Sequence, residues 1–149
     1  MSRPVIVGEM NPWGADPYYA MYPSPDGCSG HRLCGLILGM RRTAYLESFQ
    51  RVNLCVGKWS IRAARSEASR LIHAGDNGGR FILCGSKVAQ AFGLDFAPFC
   101  EVDGGRERFL ILPHPSGLNR LWNEDDAFEK ARRTVLELCP ELKDVVGVA

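Results

Sequence analysis

Short apolar, strand-like runs recur along the chain with helix-period segments between them, and this alternation limits the fold more than any other feature. Residues 4–8, 51–56, 80–85 and 108–112 each have strand length and end at glycine, proline or polar residues. Between them, Leu33, Leu36, Ile37 and Met40 have helical spacing, which predicts a helix over 30–39, and Thr43 opens a short second one through Phe49. Ser60 caps a helix to about Ala74 with Ile61, Ala64, Ala68, Leu71 and Ile72 on its inner face. Residues 75–79 break that helix, and residues 86–92 form a further one that Gly93 stops. Residues 97–108 are a connecting excursion with Asp103-Gly104-Gly105 as a turn, in reach of a hairpin. A last helix covers about 123–138. Strand and helix alternate, so the expected fold is a single α/β domain over residues 1–149. It is a compact three-layer α/β/α arrangement with a central four-stranded, mainly parallel sheet.

At 149 residues and 46% hydrophobic composition the chain can bury one substantial core, and is short for two. No apolar run approaches the roughly 18 residues that span a bilayer, and Met1-Ser2-Arg3-Pro4 lacks a signal-peptide stretch. A soluble, cytoplasmic protein without membrane attachment is expected. Six cysteines, Cys28, Cys34, Cys55, Cys84, Cys100 and Cys139, are scattered and partly within apolar segments, which favours reduced, buried thiols. Cys28, His31 and Cys34 alone have ligand-like spacing, but a structural zinc normally needs a fourth ligand, so no metal is expected. The net charge of +1 neither requires nor excludes nucleic acid, which calls for a basic face and not a basic average. Basic groups occur at Arg41-Arg42, at Lys58 with Arg62 and Arg65, at Arg120 and at Arg132-Arg133.

Ligand sites in such sheets lie beyond the carboxyl ends of the strands. Polar segments leave strands there at 9–13, 53–60 and 114–120, and the first opens a long proline- and glycine-rich stretch to about Gly30. The third, Pro113-His114-Pro115-Ser116-Gly117-Leu118-Asn119-Arg120, gathers an imidazole, a hydroxyl, a leucine and a guanidinium in one turn. Read for its shape alone, this is a turn set by proline and glycine. Read for its chemistry, it suits a nucleotide: His114 can donate to an oxygen that gains charge, Ser116 and Arg120 can hold phosphates, and Leu118 can wedge into a base stack.

Gly8-Glu9-Met10-Asn11-Pro12-Trp13-Gly14 and His114-Pro115-Ser116-Gly117-Leu118-Asn119-Arg120 follow the first and last strands about a hundred residues apart. The pair resembles the two signature motifs of the uracil-DNA glycosylase superfamily, G-x-D-P-Y, G-I-N-P-G or G-E-A-P-G first, and H-P-S-x-L or N-P-S-G-L second. The first segment is a hybrid of these forms and is one residue longer between glycine and asparagine. Val52-Asn53-Leu54 is similar to the asparagine-bearing strand of several families, and the resemblance covers nearly the whole chain.

The resemblance implies a small DNA glycosylase, of a kind expected in viruses or mobile elements, that flips a uracil-like base from DNA and hydrolyses its N-glycosidic bond. Asn11 and His114 would be catalytic, Asn11 holding the attacking water and His114 donating to the departing base, as a neutral histidine can. Glu9, Trp13, Tyr22 and Asn53 would bind the base. Trp13 would exclude the thymine methyl, Tyr22 would stack, with Tyr18 and Tyr19 as competing rings, and Asn53 would read the pyrimidine edge. Leu118 would fill the vacated stack, with Lys58, Ser116, Gly117, Asn119 and Arg120 contacting the DNA backbone. Some members carry an iron–sulfur cluster with cysteines before the first motif. No cysteine precedes Gly8, so no cofactor is expected, and the protein would act on DNA as a monomer. Two other readings stay open: a module that recognises a modified base without excising it, and an enzyme of free nucleosides or nucleotides.

Overall fold

The computed structural model describes residues 2–74 and 79–149, and among these described residues there are five strands and five α-helices, with 3₁₀ and π turns between them. The strands are β1 (Val5–Asn11), β2 (Gln50–Val56), β3 (Arg80–Cys84), β4 (Cys100–Asp103) and β5 (Arg108–Leu112). They form one sheet in the order β2-β1-β3-β5-β4. All neighbours are parallel except β4, which pairs antiparallel with β5 and turns the expected four-stranded sheet into a five-stranded one. The excursion after residue 97 is thus a hairpin. Its edge strand has no apolar alternation, because Cys100, Glu101 and Asp103 face solvent, and periodicity therefore did not reveal it.

Strand alternation divides the core into two layers. Ile6, Ile82, Leu110 and Leu112 face one side, and Val5, Val7, Phe81, Leu83, Phe109 and Ile111 the other. On the second side lie α3 (Ile61–His73) and α4 (Ser86–Ala91). There Ala64, Ala68, Val88 and Ala89 are buried, and Phe81 stacks on Phe109 with ring centroids 5.6 Å apart. Ser60 caps α3 as its sequence predicts, its Oγ accepting from the Ala63 N–H at 3.3 Å, an interaction that contributes about 1 kcal/mol. The small alanines let the helices approach the sheet closely. Of the expected break at 75–79, residues 75–78 lie outside the described residues.

The first side is covered by α1 (Ser29–His31), α2 (Arg42–Ser48) and α5 (Ala127–Leu138). The predicted 30–39 helix departs from ideal geometry, since α1 continues as a π turn over Arg32–Ile37 with the Leu38 N–H donating to the Leu33 carbonyl at 2.9 Å. The wider turn shifts the helical phase, leaving Leu36 exposed while Leu33, Ile37 and Leu38 are buried. Arg132 of α5 donates to the carbonyls of Ile37 at 2.8 Å and Leu36 at 3.1 Å, closing the end of that turn. The expected last helix starts later than about 123: α5 begins at Ala127, after a separate 3₁₀ turn, Arg120–Asn123. Among the described residues no helix is long and apolar enough to cross a membrane.

Candidate active site

Toward the carboxyl end of the sheet, the end of β1, Asn53 within β2 and the turn after β5 meet the loop between β1 and α1 around a cleft of ≈ 330 Å³. Glu9, Asn11, Tyr22, Asn53 and His114, all expected from sequence, line it together with Tyr19. The strand, and not a loop, carries the first motif. β1 runs on to Asn11, which is paired with Val56 of β2, and the Asn11 carbonyl accepts from the Gly57 N–H at 2.7 Å. The extra residue of this motif is thereby absorbed in regular strand, and Asn11 still reaches the cleft while being 7% exposed.

Asn53 lies beside Gly8 in the β1–β2 register. Its Nδ2 donates to Asn11 Oδ1 at 2.8 Å, and its Oδ1 is buried without a partner. Only a glycine at position 8 permits this, because a Cβ there would lie 2.2 Å from Asn53 Oδ1 and 2.8 Å from Met21 Sδ. The expected reading of a pyrimidine edge by Asn53 does not match this orientation. One of its two N–H donors is engaged by Asn11, and its acceptor is buried against Gly8 of β1.

His114 follows β5 and is held through both ring and backbone. Its Nδ1 accepts from the Ser116 N–H at 3.1 Å, so the neutral ring carries its proton on Nε2. That atom lies 4.0 Å from Glu9 Oε2, with both side chains about one-third exposed (30% and 29%). The His114 carbonyl accepts from Trp122 Nε1 at 2.8 Å and Asn119 Nδ2 at 3.3 Å. Gly85, at φ 105° after β3, leaves room beneath, since a Cβ there would meet the His114 Cβ at 3.2 Å. The functional side chains thus sit on strand ends and a braced turn, the arrangement in which small displacements are least tolerated.

The rest of the turn points away from the cleft. Leu118 is 92% exposed, Gly117 and Arg120 are exposed, and Ser116 Oγ accepts from the Leu118 N–H at 3.2 Å. Asn119, expected among the DNA contacts, has both ends of its amide engaged inside the turn, Nδ2 on His114 and Oδ1 on the Leu121 N–H at 3.1 Å. Arg32, which the sequence did not single out, donates from Nε to the Pro115 carbonyl at 2.8 Å. Its guanidinium underlies Gly117, a relationship that only the packing of the π turn creates.

Trp13 does not line the cleft. It is 74% exposed, and its ring lies over Gly57, where a Cβ would come within 1.8 Å of Cε2. Glycine there, at φ 78°, is needed both for backbone and for space. The ring therefore packs on the loop after β2 instead of meeting a base in the cleft. Lys58, next in that loop, is exposed.

The loop wall is anchored by Tyr45, whose hydroxyl donates to the Met21 carbonyl at 2.8 Å. Met21 has φ 51°, a left-handed conformation costly for a non-glycine residue, and this buried bond holds it there. Burial pushes the Tyr45 phenol well above its ordinary pKa, so it stays a neutral donor. Beneath the cleft, burial and then the charge of Glu9 push the Cys84 thiol up to about 12. Cys28, His31 and Cys34 make separate bonds: Cys28 Sγ accepts from the His31 N–H at 3.4 Å, His31 Nδ1 accepts from Gly27 at 3.1 Å, and Cys34 donates to the Met40 carbonyl at 3.3 Å. Among the described residues no group of three His, Cys, Asp or Glu side chains is placed to hold a metal ion.

Chemically, the cleft offers a fixed imidazole N–H, one carboxylate, two amides and two tyrosine rings. That set can stabilise an anion on a departing group, oppose positive charge with Glu9, and place a water against an amide. No protein-family model matches the chain, and no curated protein matches it.

Proposed function

We propose that the protein is a DNA glycosylase of the uracil-DNA glycosylase type, which extrudes a uracil-like base and hydrolyses its N-glycosidic bond. The observation that carries this reading is the division of one strand-end turn: His114 faces the cleft, and four residues later Leu118 stands 92% exposed outside it. A braced, half-buried donor facing the cleft, coupled to a bare apolar wedge outside it, has a purpose when a base must leave its stack and have its place filled.

In this mechanism the flipped base lies against Tyr22 and Tyr19, with its oxygen toward His114 Nε2. As the glycosidic bond lengthens, negative charge builds on the base and is met by the Nε2–H, a type of donor whose loss typically costs about 10²–10³ in rate. Positive charge on the sugar is met by Glu9, the one carboxylate among the lining residues described. Asn11 positions the water, and Asn53 holds Asn11 through the 2.8 Å amide bond. Exposed Arg120, at the start of the 3₁₀ turn, and exposed Lys58, on the loop after β2, take the flanking phosphates.

The test is alkali cleavage of abasic sites after incubation with oligonucleotides carrying uracil in single strands, opposite guanine or opposite adenine. Base release that falls at least a hundredfold in His114→Ala is expected. Absence of release from uracil and related modified pyrimidines, or full activity in the double variant His114→Ala/Asn11→Ala, refutes the reading. One observation favours a second reading, a module that recognises the base without excising it: Asn11 is 7% exposed and its Oδ1 is already engaged by Asn53. Gel-shift affinity for uracil-containing DNA without base release distinguishes that case.

A further inference from the structure

We infer that a second cleft, along the β2 edge, binds an unpaired nucleotide next to the target base, and that the protein's preferred substrate is therefore single-stranded DNA. The inference rests on the glycosylase reading and names the substrate form for that site. The cleft has a volume of ≈ 410 Å³ and is lined by Arg3, Tyr18, Leu46, Phe49, Gln50 and Arg51, with two arginines and no carboxylate among the lining residues described. It is joined to the active-site cleft by aromatic rings. Tyr22 and Tyr19, in the first cleft, have centroids 5.0 Å apart, and Tyr18, in the second, is 5.1 Å from Tyr19 and 5.8 Å from Tyr22.

Tyr18 and Tyr19 are 55% and 57% exposed, too open for core residues, yet they are held in place. Asp16 Oδ1 accepts from the Tyr18 N–H at 2.9 Å, and Arg51 Nη1 donates to the Tyr18 and Ala20 carbonyls at 3.1 Å each. The Arg51 guanidinium lies 5.0 Å from the Tyr18 ring centroid and 5.5 Å from that of Tyr22. Rigid, exposed rings with cations beside them match the two needs of a single strand, a stacking surface for each base and positive charge for each phosphate. A duplex cannot use such a surface, because its base faces are covered by their neighbours in the stack. The second cleft also lies around the edge of the sheet, where a flexible strand can follow and a straight helix cannot.

The experiment measures binding by fluorescence anisotropy with a short oligothymidylate, single-stranded and annealed to its complement, on the full chain. Tighter binding of the single strand is expected, weakened roughly tenfold in Tyr18→Ala and restored to within about twofold in Tyr18→Phe, with duplex binding unchanged. Arg3→Ala should weaken single-strand binding and flatten its salt dependence. Equal affinity for both DNA forms, or unaltered single-strand binding in Tyr18→Ala, overturns the inference. The probe contains no uracil, so the two failures separate. A protein that releases uracil but binds the single strand normally in Tyr18→Ala lacks only the second cleft's function. One that shows the expected binding pattern but releases no base has lost the glycosylase reading instead.

Discussion

Replacing Gly8 by alanine tests the arrangement at the head of β1 most directly. The backbone there tolerates any residue, so the effect comes from the new methyl group. It would sit 2.2 Å from Asn53 Oδ1 and 2.8 Å from Met21 Sδ, more than about 1 Å inside ordinary contact for the first pair. Asn53 must then swing away, which breaks its 2.8 Å bond to Asn11 and leaves a buried acceptor without its donor. Overpacking costs about 1–3 kcal/mol and the lost hydrogen bond about 1 kcal/mol, while the reduced freedom of the unfolded chain returns about 0.4–1 kcal/mol. The net destabilisation is about 1–3.6 kcal/mol. At this chain length each kcal/mol lowers Tm by about 2–4 °C.

Thermal and urea unfolding of Gly8→Ala, Asn53→Ala and the double variant form a cycle. Removing the Asn53 side chain also removes the closest clash, so the double variant should be less destabilised than the sum of the singles, by at least about 1 kcal/mol. Base release should fall in all three, because Asn11 loses its support in each. Strict additivity of the two stability effects, or a Gly8→Ala protein with unchanged Tm, would show that Asn53 does not occupy the space over Gly8.

Leu118→Ala should leave Tm unchanged, since the side chain is 92% exposed, yet lower base release from duplex DNA at least tenfold and from single strands much less. Equal losses on both substrates would assign Leu118 a role other than filling the stack. Iodoacetamide at about pH 8 should modify exposed Cys100 in the folded protein and spare Cys34, Cys84 and Cys139, whose thiols burial pushes up from 9.0 to about 11, 12 and 12. The same shifts make stability fall as pH rises. The unfolded chain releases these thiol protons near pH 9 while the folded chain keeps them, so the urea midpoint should drop progressively between about pH 9 and 12. A midpoint that stays flat across that window refutes this reasoning.

Sequence by itself determined the layers. Runs such as Val5-Ile6-Val7 and Phe109-Leu110-Ile111-Leu112 are buried on both faces in a parallel sheet, and their unbroken apolar character states this without knowledge of any partner. The Ser60 cap and the inner face of α3 were legible for the same reason, since neighbours within a few residues decide them. So was the grouping of Glu9, Asn11, Asn53 and His114 at one end of the sheet, which follows from strand direction alone.

Tertiary structure decided what each of those side chains faces. That Asn53 turns toward Asn11 depends on strand register and on the missing Cβ of Gly8, two facts separated by more than forty positions in the chain. Trp13 leaves the cleft because Gly57 offers a flat place for its ring, and Arg32 reaches Pro115 across more than eighty positions because the start of the π turn packs against the turn after β5. For edge strand β4 the sequence offered only the Asp103-Gly104-Gly105 turn and the option of a hairpin, as its polar residues show no apolar alternation and gain strand structure by pairing with β5. Periodicity records which faces are hidden from water. Contact distances of a few ångströms between distant segments set the site's chemistry, and those arise only when the chain has packed.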